Sequence, residues 1–225
     1  MSSTPPRQPI VILISGRGSN MRALIEHSQS EAAAYRVRSV FADRADAGGL
    51  DTARYFGIAA RAVVPAKDMP RTEYDNALAA AIDECSPSLI VLAGFMRILS
   101  APFVERYAGK MLNIHPSLLP KYPGLHTHRR AIEAHDAEHG VTVHFVTEQL
   151  DGGPRVIQAR VPVEAGETEA TLSRRVLAQE HVIYPVAVDW FCAGRLRYQA
   201  GQAVLDGRTL SEPVQITDIE REKSP

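Results

Sequence analysis

The residues best suited to chemistry are Asn113 and His115, which lie two positions apart at the end of a short apolar run. Side chains alternate between the two faces of a strand, so this spacing places the amide and the imidazole on one face. Pro116 holds His115 in an extended conformation, because a residue before proline is disfavoured in the helical region. An amide beside an imidazole suits a reacting carbonyl, since the amide donates to a developing oxyanion and the imidazole moves a proton. The alternative is a strand exit with an incidental polar pair.

A third candidate, Asp151, lies in a turn rich in glycine and proline at residues 148–154. An aspartate in such a turn commonly bonds its own backbone. It could instead face an imidazole, fix its tautomer and raise its pKa, and the three groups would then form an acyl-transfer site. The sequence alone does not bring Asp151 next to His115.

The loop at residues 15–20, Ser-Gly-Arg-Gly-Ser-Asn, is a second candidate site. It joins an apolar run at residues 10–14, typical of a strand buried on both faces, to a helical pattern that begins at Met21. Free backbone N–H groups and the helix dipole favour an anion there, so we expect a phosphate. The loop lacks the Walker A lysine, and Met21 replaces the third glycine of the dinucleotide fingerprint. A tight turn with Ser19 or Asn20 as the N-cap is the alternative.

These candidates need a scaffold, and the rest of the pattern predicts strands that alternate with helices. Further strands are predicted at residues 37–42, 58–64 and 89–95, and helices at residues 47–56 and 71–85. The alternation favours a single-domain, Rossmann-like α/β fold: a mixed, mostly parallel sheet with helices on both faces. Ligands of such sheets gather beyond the carboxyl ends of the strands, where all the candidate segments would lie.

The C-terminal half adds an antiparallel edge to this prediction. Residues 141–146 and 156–163 are strand-like and are joined by a turn, which is typical of a hairpin. Residues 168–192 form the longest helical pattern, which Pro185 is expected to kink. Glu180 lies on or beside the apolar stripe of this helix, where a carboxylate needs a partner. That partner is either a buried cation of the protein or an amine of a ligand.

Composition restricts the class of protein. The 225 residues carry a formal net charge of -1, which gives no general attraction to nucleic acid or to an anionic membrane. The two cysteines, with no metal-like spacing, are typical of a reducing compartment. No signal peptide or membrane-spanning stretch is recognisable, so we expect a cytoplasmic protein. We predict one domain at residues 10–210, with a flexible N-terminal extension at 1–9 and a C-terminal tail at 211–225.

Four histidines between the candidate segments raise the alternative of a metal site. They are His126, His128, His135 and His139. The last two have the i, i+4 spacing of ligands on one helix face. Histidine-rich polar segments at helix ends are more often solvated, so we predict no metal.

Several ordered motifs resemble those of the phosphoribosylglycinamide formyltransferases, a family of folate-dependent formyltransferases. They lie at residues 92–100, 113–124 and 144–154, and the loop at 15–20 and the triplet at 179–181 are similar too. The resemblance implies transfer of the formyl group of 10-formyltetrahydrofolate to the amine of glycinamide ribonucleotide, in de novo purine biosynthesis, without a metal.

The resemblance also implies roles for individual residues. The catalytic residues would be Asn113, His115 and Asp151, with the carboxylate raising the pKa of the histidine. The residues that bind the ribonucleotide would be Gly18, Ser19, Asn20 and Glu180. Those that bind the folate would be Arg71, Met96, Arg97, Ile98, Leu99 and Asn113.

Two alternative functions stay open at this point. A formyltetrahydrofolate deformylase or a methionyl-tRNA formyltransferase would share these motifs, but each normally carries an additional domain for which we expect no room. A non-catalytic nucleotide- or folate-binding module could lose Asn113, His115 or Asp151, and all three are present. We therefore expect small-molecule substrates, no nucleic-acid or membrane partner, and a monomer or a homodimer.

Overall fold

A computed structural model describes residues 6–217 of the chain. The strands are β1 (Gln8–Ile14), β2 (Tyr35–Ala42), β3 (Ala59–Ala62), β4 (Leu89–Leu92), β5 (Met111–His115), β6 (Glu138–Phe145), β7 (Arg155–Pro162), β8 (Leu196–Gln199), β9 (Gln202–Leu205), β10 (Arg208–Thr209) and β11 (Val214–Gln215). The helices are α1 (Ser19–Ser28), α2 (Gly49–Tyr55), α3 (Arg71–Asp83), α4 (Ala101–Arg106), α5 (Thr127–Glu133) and α6 (Glu169–Cys192).

Eight of these strands form one sheet in the order β11-β7-β6-β5-β4-β1-β2-β3, and β10-β9-β8 form a small second sheet. From β3 to β5 every pairing is parallel. β6 is antiparallel to both β5 and β7, whereas β11 is again parallel to β7. The predicted mixed, mostly parallel α/β fold is confirmed. Its antiparallel strand lies inside the sheet, because β7 and β11 extend the sheet beyond it.

Helices cover both faces of the large sheet, which explains why β1 is apolar at every position from 10 to 14. Ile10, Ile12 and Ile14 pack into one cluster with apolar residues of α1, α2 and α6. Val11 and Leu13 pack into the other cluster with residues of α3 and α4. All five side chains are fully buried, and such burial contributes roughly 1.5–3 kcal/mol for each. The absence of polar alternation is therefore the signature of a central strand.

The structure corrects two predicted boundaries and adds one helix. β1 begins at Gln8, so the predicted N-terminal extension at 1–9 is too long by Gln8 and Pro9, which pair with β2. Two residues of the predicted tail at 211–225 form β11 and pair with β7. Helix α4 was not predicted, because six residues are too few to show a helical period. The outer parts of both predicted extensions, residues 1–5 and 218–225, lie outside the described residues.

The order of the strands places a crevice at the carboxyl ends of β1 and β4. These strands are neighbours, but the chain continues from β1 towards β2 on one side and from β4 towards β5 on the other. Such a reversal leaves the two following loops diverging, and ligands bind between them. The backbone N–H of Ser15 donates to the Gly94 carbonyl at 3.1 Å, and the Met96 N–H donates to Ser15 Oγ at 2.8 Å. The two loops are therefore tied together at the crevice.

Helix α6 brings the C-terminal part of the chain across this scaffold. Thr168 caps its start, since its hydroxyl accepts from the backbone N–H of Thr171 in a capping box. The helix continues through Pro185 to Cys192 and places the buried Glu180 against the first turn of α1. Among the described residues, no helix combines the length and the apolar character that crossing a bilayer requires.

Candidate active site

The loop after β1 enters α1 through Gly18, the N-cap residue, whose φ of 73° is in the left-handed region that favours glycine. A Cβ at this position would also lie 3.3 Å from Gly49 Cα, so a side chain has little room. Ser19 and Asn20 lie inside the first turn, and the alternative in which one of them is the N-cap is wrong. Because no N-cap side chain occupies the first-turn N–H groups, they are available to an anion.

The side chain of Asn20, in this first turn, contacts Glu180 of α6. Asn20 Nδ2 donates to Glu180 Oε2 at 2.5 Å, and both residues are buried, each with 8% of its surface exposed. Burial raises the pKa of the Glu180 carboxyl, and the bond from Asn20 offsets only part of this effect. The partner of Glu180 is thus a neutral amide and not the cation of a buried salt bridge. Asn20 Oδ1 has no hydrogen-bond partner among the described residues, so it can still accept a hydrogen bond from a ligand.

Asn113 and His115 lie on β5, where both face the same cavity, as their spacing predicts. The antiparallel register places Asn113 opposite His144 of β6 and His115 opposite Thr142. The parallel register places Asn113 beside Leu92 at the end of β4. The amide and the imidazole are therefore held by strands on both sides.

The tertiary structure brings Asp151 to these strands. Its Oδ2 lies 3.4 Å from His115 Nδ1, and its Oδ1 lies 3.7 Å from His144 Nε2. The side chains of Asp151 and His115 are each only 8% exposed. A Cβ at Gly153 would collide with the carbonyl oxygen of Phe145, so a glycine there lets the turn approach the end of β6. Asp151 does not act as a simple turn residue, because its carboxylate accepts from the distant Gly124 N–H at 2.8 Å.

His144 was not predicted as a site residue, and it fixes the orientation of Asn113. Its Nδ1 bonds the Phe145 carbonyl at 2.9 Å, which requires the proton on Nδ1. Burial lowers the pKa of His144 to about 4, so Nε2 is unprotonated near neutral pH. Nε2 therefore accepts from Asn113 Nδ2, which lies 3.2 Å away. The second N–H of the Asn113 amide stays available for a ligand.

The loop after β5 holds His115 from its other side. His115 Nε2 lies 2.9 Å from the carbonyl oxygen of Tyr122 and donates to it, since a carbonyl only accepts. The same loop supplies the Gly124 N–H that donates to Asp151. The imidazole is therefore placed between a backbone carbonyl at Nε2 and a carboxylate at Nδ1.

These groups open into a cavity of about 460 Å³ at the carboxyl edge of the sheet. The predicted site residues that line it are Met96, Arg97, Ile98, Leu99, Asn113, His115 and Asp151. Its large apolar side chains are unusually exposed: Met96 at 69%, Ile98 at 56%, Leu125 at 70% and Leu150 at 55%. Exposed apolar surface around a few convergent polar groups is typical of a site for an organic ligand.

The structure does not bring every predicted residue to this cavity. Arg71 is an exposed residue at the start of α3 and does not line it, so its contact with a folate stays a prediction. Gly18, Ser19, Asn20 and Glu180 also lie outside the lining and form the separate polar region described above. The residues that were missed are His144, Leu125 and Leu150; His144 and Leu150 lie within the motif at residues 144–154, but nothing in the sequence marked them as facing the cavity. Only the strand register and the loop conformations place them.

The four histidines do not converge on one point. His128 and His139 bond each other, with His139 Nε2 3.1 Å from His128 Nδ1, and burial lowers the pKa of His139 to about 4. His126 and His128 line the cavity, whereas His135 is an exposed residue beyond the end of α5. Within residues 6–217, no group of three or more potential ligands could hold a metal ion.

Comparison with known proteins gives consistent matches. The sequence profile of the formyl transferase family matches residues 8–188. The chain is 53% identical over 201 residues to the phosphoribosylglycinamide formyltransferase of Escherichia coli K12, covering 89% of this chain and 95% of that protein. It is 43% identical to part of the human trifunctional purine biosynthetic protein adenosine-3, over 84% of this chain and 19% of that protein. The solved structure of the Coxiella burnetii phosphoribosylglycinamide formyltransferase superimposes with a TM-score of 0.88 at 47% identity, covering 93% of this chain and 100% of that one.

Proposed function

This chain belongs to the formyl transferase family, and on that premise we propose that it formylates glycinamide ribonucleotide with 10-formyltetrahydrofolate, in purine biosynthesis. The observation that carries the proposal is the placement of Asp151 3.4 Å from His115, with Asn113 facing the same ligand-sized cavity. A non-catalytic binding module has no need for this arrangement of carboxylate, imidazole and amide.

The reaction needs a group that stabilises negative charge on the formyl oxygen. As the amine attacks the formyl carbon, that oxygen becomes an oxyanion of a tetrahedral intermediate. The free N–H of Asn113 would donate to it, because the other N–H is engaged by His144. A donor aimed at an oxyanion contributes roughly 2.7–4 kcal/mol to catalysis. The strand register and the bond to His144 orient Asn113 so that its second N–H can donate to the oxyanion.

The reaction also needs a proton to move from the attacking amine to the departing folate nitrogen. His115 would carry it, directly or through a bridging water. Its separation of 3.4 Å from Asp151 exceeds the roughly 2.7–2.9 Å of a charge-assisted hydrogen bond. Because the bond to Asp151 is long, Nδ1 of the imidazolium can also donate to a substrate atom or a water that lies beside the pair. Asp151 balances the charge of the imidazolium.

The two substrates would occupy two adjoining regions. The exposed apolar side chains of the cavity suit the flat rings of the folate, and Met96 to Leu99 form one wall. The free N–H groups at the start of α1 suit the phosphate of the ribonucleotide. Glu180 would accept from its glycinamide end, because its present partner is a neutral amide. The reacting amine and the formyl group would then meet at Asn113 and His115.

Two further properties belong to the same proposal. Cys85 and Cys192 are both free thiols, which fits the reducing cytoplasm that we propose as the location. The protein would act on small molecules as a monomer or a homodimer, and light scattering at assay concentration would distinguish these states.

The decisive experiment measures folate release with glycinamide ribonucleotide as the acceptor and, separately, with water alone. We expect release to depend on the ribonucleotide and the formylated ribonucleotide to form in equal amount. Equal rates of release in both assays would identify a deformylase and refute the proposal. Absence of release in both, with both ligands bound, would favour a binding module.

A further inference from the structure

The segment at residues 122–126 contacts both charged members of the proposed catalytic group. Its Tyr122 carbonyl accepts from His115, and its Gly124 N–H donates to Asp151. Both contacts come from the backbone, so they depend on the conformation of the segment and not on the identity of its side chains. Whatever fixes that conformation also fixes the distance between the imidazole and the carboxylate.

This conformation is not one that the segment would favour by itself. Tyr122 has a φ of 56° and His126 a φ of 59°, which is the left-handed region that residues with a Cβ rarely adopt. Gly124, between them, has a φ of 78°. Two unfavourable residues in five persist only where surrounding contacts determine them. The segment therefore needs external restraints.

Arg130, in the second turn of α5, supplies one restraint. Its Nη1 donates to the Pro123 carbonyl at 2.7 Å, and its guanidinium carbon lies 4.9 Å from the centre of the Tyr122 ring. A guanidinium over an aromatic face is attracted by the ring as well as by the carbonyl. One side chain thus holds two consecutive residues of the segment.

Asp136 supplies the second restraint. The Tyr122 hydroxyl donates to Asp136 Oδ2 at 2.8 Å, and Lys121 Nζ donates to Asp136 Oδ1 at 2.8 Å. The side chain of Asp136 is only 15% exposed, so solvent competes weakly for these bonds. Tyr122 is therefore held at its ring by Arg130 and at its hydroxyl by Asp136.

We propose that Arg130, Tyr122 and Asp136 are positioning residues for formyl transfer, which act by holding the Tyr122 carbonyl and the Gly124 N–H against His115 and Asp151. None of their three side chains lines the cavity, so they are not expected to touch either substrate. Their loss should therefore lower kcat and leave the KM values nearly unchanged. A misplacement of about 1 Å in a catalytic group can lower a rate up to about 100-fold.

The test uses three variants of the full chain and one matched control. Arg130→Met keeps the length of the side chain but removes its hydrogen bond and charge, and Arg130→Lys restores the charge. Tyr122→Phe removes only the hydroxyl. Arg54→Met is the control, because Arg54, like Arg130, donates to a backbone carbonyl, that of Ala60, but lies on the distant helix α2.

Three quantities are measured for each variant: kcat with the KM of both substrates, the Tm, and the hydrogen exchange rate of the Gly124 amide by NMR. We expect Arg130→Met to lower kcat about 10-fold or more and Tyr122→Phe about 3-fold, with KM values within about 2-fold. Arg130→Lys should recover part of the loss. The Gly124 amide should exchange faster in Arg130→Met and Tyr122→Phe and at the wild-type rate in Arg54→Met.

Wild-type kcat in Arg130→Met and Tyr122→Phe would overturn the inference. So would a loss of kcat with unchanged Gly124 exchange, or a fall in Tm with no change in kcat, which marks a purely structural role. The inference rests on the proposed function, but the two fail differently. If the wild-type protein transfers no formyl group, the proposed function is refuted, and the exchange of Gly124 still tests the restraint.

Discussion

Two buried carboxylates, Asp151 and Glu180, mark the two halves of the candidate site, and their surroundings differ. Asp151 faces the imidazoles of His115 and His144 and accepts from a backbone N–H. Glu180 is as little exposed, yet its only hydrogen bond in the described part of the chain comes from the neutral amide of Asn20. One carboxylate is already matched by a group that can carry positive charge, and the other is not.

The difference separates catalysis from binding. A buried carboxylate next to an imidazole can balance the charge that appears when the imidazole takes up a proton. A buried carboxylate with only an amide partner is under-compensated, and a ligand with N–H donors would complete it. We therefore expect changes at Asp151 to lower turnover and changes at Glu180 to weaken binding of the ribonucleotide.

The largest effect should come from Asp151→Asn. Asparagine can still accept from the Gly124 N–H, so the variant removes the charge and keeps the shape. We expect kcat to fall about 1,000-fold, while calorimetry shows the affinity for glycinamide ribonucleotide within about 2-fold of wild type.

Asp206→Asn is the matched control for this prediction, because Asp206 forms an exposed ion pair with Arg195 on the small sheet. Its kcat should equal that of the wild type. Near-wild-type turnover in Asp151→Asn would show that Asp151 is not the partner of His115.

Asn113→Ala should lower kcat by about 100- to 1,000-fold, because it removes one donor to the oxyanion. Steady-state kinetics would measure this loss, and circular dichroism would check that the sheet is intact. A fall of less than about 5-fold would indicate that another group supplies the oxyanion donor.

The stability of the fold should depend on pH in opposite directions at two buried groups, His139 and Glu180. Burial lowers the pKa of His139 to about 4 from 6.5, so the unfolded chain takes up this proton first as the pH falls. The stability that the neutral imidazole contributes is complete above about pH 6.5 and is lost as the pH falls to about 4. The free energy of unfolding, measured with urea, should fall less between pH 7 and pH 4 for His139→Gln than for the wild type, by up to about 3 kcal/mol. Parallel curves for the two proteins would contradict this.

Glu180→Gln should have the smallest effect on turnover. We expect the KM for the ribonucleotide to rise about 10-fold or more and kcat to change less than about 3-fold, because a charged acceptor for the ligand is lost.

Burial raises the pKa of Glu180 above its ordinary value of 4.5. The folded state therefore loses stability as the pH rises from 4.5 through the raised pKa. The Tm gain of Glu180→Gln over wild type should therefore be larger at pH 7 than at pH 4. A fall in kcat alone would instead place Glu180 in the chemical step.

Much of the scaffold was predictable because its signals are local. The uninterrupted apolar run of β1 marks a strand with helices on both faces, and the alternation of strands and helices gives the parallel sheet. The spacing of Asn113 and His115 placed both side chains on one face by the geometry of a strand alone. The glycine turn after β1 was predicted to start a helix, although its N-cap is Gly18 and not Ser19 or Asn20.

The pairing of distant residues was decided only by the tertiary structure. Asp151 reaches His115 because β6 runs antiparallel to β5 and the turn that follows β6 folds back over the end of β6. The periodicity of the local sequence determines neither the register of the strands nor the direction of the turn. The same holds for the bond between Asn20 and Glu180, whose residues lie on α1 and α6. Side-chain types and their spacing determined which chemistry was available. The packing of strands and loops decided which carboxylate faces an imidazole and which one is left for a ligand, because burial and neighbours set the charge that each group can hold.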